Sequence, residues 1–278
     1  MLRLYLALPV IALLASSPQA QDASHQKHEI VLRTVRSFIL PRYEVLAEAT
    51  KSQDQSWQQF CTSPSEGGFS SLQAAFYEAA NAWSGVEFIL YGPISIDFRF
   101  ERMSHWPERR NAVGRSLNVL LSRTVERDDL KPERFSETSA AAQGLTALER
   151  LLFEKDSQSA LLERSDTAQR RCAVGSAIAS ALARTSSTVL DEWKRPSGAL
   201  IKLEAGESSA DEALTRLVTD YVTLFEVLDD QKLGAVMGKE PDYTRPALAE
   251  GWRSGRSLQA ITINLEAASD MEIGRAHV

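Results

Sequence analysis

Apolar residues along most of the chain recur at spacings of three and four, the period of an amphipathic α-helix. In the first long segment this spacing is followed by Val31, Val35 and Phe38 and by Ile39, Tyr43 and Leu46, and Pro41 falls between them. Because proline lacks a backbone N–H, we expect Pro41 to kink or divide that helix. The same period predicts helices at about residues 28–60, 70–90, 106–123, 136–153, 167–193, 209–233 and 245–268.

One short stretch departs from the helical period. Residues 94–100 alternate apolar and polar side chains, which is typical of a strand. A lone strand would have no partner, so we expect an extended connector. The sequence therefore predicts an all-α protein of two helical-bundle domains, an N-terminal one over 28–195 and a partial C-terminal one over 200–272 that is truncated at its C-terminus. The Pro-Ser-Gly run at 196–198 is the predicted boundary.

Both ends of the chain carry signals that are separate from the fold. Residues 1–20 have the order of a secretory signal peptide, with Arg3, an apolar run from Leu4 to Ala15 and a small polar end. The run is shorter than the roughly 20 apolar residues of a membrane-spanning helix. We expect cleavage after Ala20 and a periplasmic protein that does not span the membrane, with an uncleaved anchor as the alternative. Residues 273–278 read as translated sequencing-adapter DNA.

Charge and cysteine content narrow the class of protein. The chain has 278 residues, a formal net charge of −6 and 44% hydrophobic residues, enough for a substantial core. The negative charge and the lack of a basic cluster argue against a nucleic-acid partner. The two cysteines, Cys61 and Cys172, predict a disulfide in an exported chain, with two buried thiols as the alternative.

Several blocks in order along the chain resemble the imelysin-like family, which includes iron-regulated protein A. The blocks are Ile39 to Tyr43, Ala82-Trp83 with Val86-Glu87 and Gly92-Pro93, Trp106 to Asn111, Gln143 to Phe153, Arg171-Cys172, Lys232 to Gly234, and Arg245 to Ser257. The resemblance implies two helical bundles, a periplasmic or cell-surface location, and a functional site where the bundles meet. It also implies either a metallopeptidase or a role in iron regulation or uptake.

The resemblance includes the family signature Gly-x-His-x-x-Glu, which departs at one position here. Gly144 and Glu149 are retained, whereas Thr146 replaces the histidine. A threonine hydroxyl is a poor ligand for zinc or iron compared with a neutral imidazole. The change therefore argues against peptidase chemistry.

Glu149 is the first candidate site residue. It lies beside the apolar stripe of its predicted helix, so burial would require a partner for its carboxylate. It could be a metal ligand, or a structural carboxylate paired with an arginine. Thr146 shares its helix face and could bind a ligand or bond back to the backbone.

Two further segments could add to this site. Glu87 could converge with Glu149 from a facing helix, or be a solvated or salt-bridged glutamate. In the run Trp252 to Ser257, Arg253 and Arg256 could hold an anion or pair with buried carboxylates. Ser254 and Ser257 could donate hydrogen bonds. The alternative for that run is an interdomain packing element. We therefore expect a ligand site formed by Gly144, Thr146, Glu149, Glu87, Ser254, Arg256 and Ser257.

Histidine content bears on the type of chemistry. The chain has no His-Glu-x-x-His motif, so it lacks a zincin site. The leading hypothesis is a non-catalytic periplasmic protein that binds iron, an iron chelate or another divalent cation. The alternatives are a metallopeptidase of the imelysin class and an exported helical module that binds a receptor in the outer or inner membrane.

Overall fold

The computed structural model describes residues 18–122, 128–195, 198–206, 208–238 and 243–271, and within these ranges it is all-α and has no β-strand. The predicted signal-peptide core and the adapter-like tail lie outside the described residues. No helix in the described ranges combines the length and apolarity that a membrane crossing requires. The helices are α1 Pro18–Thr34, α2 Leu40–Thr62, α3 Glu66–Ser84, α4 Arg99–Met103, α5 Ala112–Leu121, α6 Pro132–Phe135, α7 Gly144–Phe153, α8 Ser157–Leu162, α9 Asp166–Lys194, α10 Ala199–Glu204, α11 Ala210–Glu226, α12 Ala235–Met237 and α13 Ser257–Asp270.

The chain remains helical through Pro41, with a change of helix type just before it. A π-helical turn, Val35–Ile39, joins α1 to α2, and Pro41 occupies the first turn of α2. Proline cannot donate the hydrogen bond that a regular α-helix needs at this point. The helix is thus divided by a wider turn, and no loop separates its two parts.

Left-handed backbone positions correct three sequence predictions. Residues 94–100 do not form an extended connector, since a 3₁₀ turn and positive φ angles of 54° at Asp97 and 56° at Phe98 lead into α4. The helix predicted from Trp106 begins only at Ala112, because the residue before it, Asn111, also has a positive φ. The helix predicted from residue 245 begins at Ser257, after turns with two left-handed glycines.

The centre of the fold is the contact between α2 and α9, and α3 also packs on α2. Trp57 and Phe60 of α2 are fully buried there. The predicted disulfide between Cys61 and Cys172 is confirmed and links the two helices, with Cα atoms 5.7 Å apart. Ser165 caps the start of α9 by accepting a hydrogen bond from the Ala168 N–H at 3.2 Å.

The later helices pack on this core. Helix α1 contacts α10 and α11, and α13 packs against α3. A single cluster of buried apolar residues includes members of both predicted units, for example Leu148 of α7 and Leu217 of α11. The division into two domains stays a prediction, while the junction between α3, α7 and α13 positions the candidate site.

Candidate functional site

Gly144 has a structural reason to be glycine. It opens α7 with a φ of 84°, a conformation that side chains other than glycine rarely adopt. A Cβ here would lie 2.6 Å from the Arg102 carbonyl oxygen and 2.7 Å from that of Met103. The glycine therefore lets the end of α4 pack against the start of α7. This contact brings the Ser104 hydroxyl to 3.3 Å from that of Thr146.

Glu149 is buried and bonded to the segment predicted to join it. Its side chain is 4% exposed, and its Oε1 accepts hydrogen bonds from the Ser254 backbone N–H at 3.0 Å and hydroxyl at 2.7 Å. The Tyr77 hydroxyl of α3 donates to the Ser254 carbonyl at 2.8 Å. Burial, followed by the charge of Glu149, raises the pKa of Tyr77. Three distant parts of the chain therefore meet at this carboxylate.

Arg256 belongs to the same junction, but it contacts a different helix. It is 5% exposed, and its Nη2 donates to Asn81 Oδ1 at 3.0 Å and to Ser84 Oγ at 3.1 Å. Ser257 begins α13 and is half-buried, with no hydrogen bond to the Glu149 carboxylate. The structure therefore brings Ser254 and Arg256 to the predicted site and leaves Ser257 beside it.

A buried lysine, which the sequence analysis did not propose as a site residue, organises the other side of the junction. Lys232, in the π-helical turn Val227–Gly234, donates to Glu87, Glu250 and Asn264, each at 2.6 Å. Asn264 of α13 also donates to the Ser84 carbonyl at 2.6 Å. We call Lys232, Glu87, Glu250 and Asn264 the lysine network.

The ionisation of this network follows from burial and pairing. Burial alone would raise the pKa of Glu87, but the charge and hydrogen bond of Lys232 lower it below its usual value. Burial and the charge of Glu87 raise the pKa of Glu250. Burial disfavours the charged form of Lys232, but the charges and hydrogen bonds of Glu87 and Glu250 raise the pKa of Lys232 above its usual value. The charged forms of Lys232 and Glu87 are therefore favoured, whereas Glu250 is shifted towards its neutral form.

The predicted convergence holds for part of the set. Thr146, Glu149, Glu250 and Arg256 line a shared cavity of about 20 Å³, the size of one water molecule. Glu87 is not among its lining residues and connects to it through Lys232 and Glu250. The sequence could have indicated Lys232 and Glu250 as site residues, because both lie in blocks that resemble the family.

A larger cavity of about 620 Å³ opens beside Glu149, between the loop at 106–111, α7 and the loop at 247–253. We call it the arginine cavity. Its charged lining residues are Glu108, Arg109, Arg110, Glu149, Arg150, Glu250 and Arg253.

Two of these arginines form no ion pair among the described residues. Arg150 Nη2 donates to both oxygens of Glu108, at 3.1 and 3.0 Å, and Arg253 Nε contacts Glu154 at 3.2 Å. Arg109 and Arg110 are exposed, and their side chains form no ion pair within the described residues. Arg109 and Arg110 therefore give the cavity lining two positive charges without an ion pair, against one unpaired negative charge on the buried Glu149.

The prediction that Glu149 is a metal ligand gains no support from the geometry. Among the described residues, no three histidine, cysteine, aspartate or glutamate side chains are grouped closely enough to hold a metal ion. Glu149 Oε1 is instead occupied by the two donors of Ser254. A structural or catalytic transition-metal site needs at least three protein ligands, so metal ligation by Glu149 stays a prediction.

Solved structures share this fold at low sequence identity. An imelysin-like protein from Psychrobacter arcticum 273-4 is 20% identical, with a TM-score of 0.68. The match covers 88% of this chain and 73% of the Psychrobacter chain. A protein from Parabacteroides distasonis ATCC 8503, assigned as an iron-regulated protein A precursor, is 14% identical, with a TM-score of 0.66 and coverages of 87% and 72%. No curated protein matches the chain.

The family model described as imelysin matches residues 39–274, which is most of the chain. This range contains α2 and every later helix, together with the Gly144 to Glu149 run and the lysine network. The chain therefore belongs to the imelysin family.

Proposed function

We propose that this protein is an exported, non-catalytic binding protein that takes up iron as a negatively charged chelate in the arginine cavity. The main support is the pair Arg109 and Arg110, which are exposed, line a cavity of about 620 Å³ and form no ion pair among the described residues. Cavities of roughly 300–1,000 Å³ are typical of small-molecule sites. Guanidinium groups bind carboxylates through paired hydrogen bonds. A ligand with several carboxylates fits this lining better than a cation does.

The ligand set favours a chelate over bare metal. The described residues contain no group of three candidate metal ligands. Hard cations are held by oxygen ligands, and in a carboxylate chelate those oxygens come with the metal. A relative of similar fold is assigned as an iron-regulated protein A precursor, which supports iron as the metal. The protein would then recognise the negative charge of the chelate.

Two features support export. Residues 1–20 have the composition of a signal peptide. Cys61 and Cys172 form a disulfide, and such bonds persist in oxidising compartments such as the periplasm. We therefore place the binding reaction in the periplasm, with a membrane receptor as a further proposed partner.

Titration calorimetry tests the proposal directly. We expect ferric citrate to bind the intact protein, and calcium or zinc salts to give no comparable heat. The double variant Arg109→Ala, Arg110→Ala should weaken binding by at least about tenfold, since hydrogen bonds to charged groups contribute about 1.5–3 kcal/mol each. The matched control, Arg33→Ala with Arg134→Ala, makes the same change in net charge at exposed sites elsewhere.

The same experiment separates the alternatives. An equal loss of affinity for ferric citrate in both double variants would show that the protein attracts the chelate by its overall charge and not at a specific site. No binding of ferric citrate by folded protein would reject the proposal. Chelator-sensitive cleavage of an unstructured substrate, abolished by Glu149→Gln, would support the metallopeptidase instead.

A further inference from the structure

A second cavity borders the lysine network, with Glu87, Lys232 and Glu250 in its lining. It has a volume of about 240 Å³ and is enclosed by the end of α3, α4 and the junction of α11 with the following π-helical turn. We call it the apolar cavity. Four aromatic rings line it: Trp83, Phe88, Phe100 and Trp106. Since an apolar protein cavity of roughly 150 Å³ can hold benzene, this one has room for a single ring with a short chain.

The charges around the apolar cavity are opposite to those of the arginine cavity. Its ionisable lining residues are three acids, Glu87, Asp220 and Glu250, and one base, Lys232. Lys232 binds the two glutamates, and Arg256 adds favourable charge to both. Asp220 forms no ion pair among the described residues, so the negative charge of the lining disfavours anions.

Asp220 is a buried carboxylate that forms no ion pair among the described residues, although the charge of Arg216 acts on it. It is 8% exposed, and its Oδ2 accepts the backbone N–H groups of Leu90 and Tyr91, each at 2.9 Å. Its other oxygen has no hydrogen-bond donor, and its carboxylate no ion pair, among the described residues. Burial raises its pKa, although the two N–H groups and the charge of Arg216 oppose this change. An ammonium group entering the cavity would give this carboxylate a direct ion pair.

The aromatic lining suits the same ligand. The rings of Trp83 and Phe100 lie with centroids 5.5 Å apart, and the Lys232 ammonium already lies 5.5 Å from the Trp106 ring centroid. Aromatic faces attract cations and bury apolar surface. We propose that the apolar cavity binds a small apolar primary amine, whose body lies among the rings and whose ammonium donates to Asp220.

The test uses three probes of similar shape and different charge: phenethylamine, phenethyl alcohol and hydrocinnamate. We expect calorimetry to show the amine binding at least about tenfold more tightly than the alcohol, because a charged hydrogen bond adds to ring burial. Hydrocinnamate should bind least. Asp220→Asn should remove the preference for the amine, while Asp211→Asn, which removes an exposed acid from the same helix, should keep it.

Filling the cavity provides an independent variant. Val227 lines the apolar cavity and not the arginine cavity, so Val227→Phe should abolish amine binding and leave ferric citrate binding unchanged. Circular dichroism confirms folding of each variant, and if Asp220→Asn does not fold, the amine-to-alcohol ratio and Val227→Phe decide. Failure of folded wild-type protein to bind phenethylamine, or equal binding by Val227→Phe, would overturn the inference without affecting the proposed function.

Discussion

Two regions of this molecule are held together by different forces. Where α2 contacts α9, apolar side chains pack around a disulfide, and the ring of Trp57 fills the space above Gly175. At the lysine network, buried charges from three segments hold one another. Apolar burial is non-directional, whereas a buried charge needs its partner within hydrogen-bond distance. The second region can therefore fix the positions of site residues more strictly.

Removing the disulfide should have the largest effect on the first region. The bond spans 111 residues, and the chain-entropy model gives about 4–5 kcal/mol for a loop of this length. We expect Cys61→Ser with Cys172→Ser to lower the free energy of unfolding by this amount, measured by urea denaturation. Ser176→Ala, beside Cys61, should cost less than about 1 kcal/mol. A similar small loss in the double variant would show that packing alone holds α2 to α9.

Breaking the lysine network should cost nearly as much. Lys232→Met leaves Glu87 and Glu250 buried without their cation, and loss of one partner of a buried ion pair costs about 3–5 kcal/mol. The control Lys27→Met breaks an exposed pair with Asp211, where about 0–1 kcal/mol is expected. Chemical denaturation of both variants measures the difference. Equal losses would mean that the network contributes no more than a surface ion pair.

A smaller effect tests the close packing of α9 on α2. A Cβ at Gly175 would lie 2.2 Å from the Trp57 ring, so Gly175→Ala must displace that ring. We expect a loss of about 1–3 kcal/mol, as for other overpacked cores. Gly67→Ala in α3 has no atom within 4 Å of the new methyl group and should not destabilise the protein. Thermal unfolding compares the two, and a stable Gly175→Ala protein would contradict the expected overlap.

The smallest effect is a dependence on pH at the edge of α9. The hydrogen bond from Arg99 holds the pKa of Glu192 below its usual 4.5, although burial opposes this shift. Because the folded pKa is lower than the unfolded one, the stabilisation is present above 4.5 and disappears as the pH falls through the folded pKa. At neutral pH, the free energy of unfolding of the wild type should exceed that of Glu192→Gln by about 1 kcal/mol. The stabilities of the two proteins should become equal in acid. A difference that stays constant with pH would contradict this dependence on the ionisation of Glu192.

Much of the secondary structure could be predicted from the sequence, because long helices repeat a strong apolar period. Helix α9, predicted at about residues 167–193, runs over Asp166–Lys194. Predictions were wrong where a single backbone angle determines the residue at which a helix begins, as at Asn111 before α5. Left-handed residues leave no trace in the hydrophobic pattern, so the starts of α5 and α13 were misplaced.

The candidate site was predictable only in part. The link between Glu149 and Ser254 followed from their positions in family-like blocks, and the structure places them 2.7 Å apart. The role of Lys232 was missed, since lysines are usually exposed and a single sequence does not show burial. Asp220 was missed for the same reason, and its contacts are to backbone N–H groups that no sequence motif marks.

The sequence by itself determined that the chain forms amphipathic helices, that its two cysteines could pair and that its motif lacks a histidine. These are properties of local period and residue type. Only the tertiary structure decided which charged groups share a cavity, because Glu87, Lys232 and Glu250 are separated by up to 163 residues of chain and meet through helix packing. The electrostatics of both cavities depend on that packing.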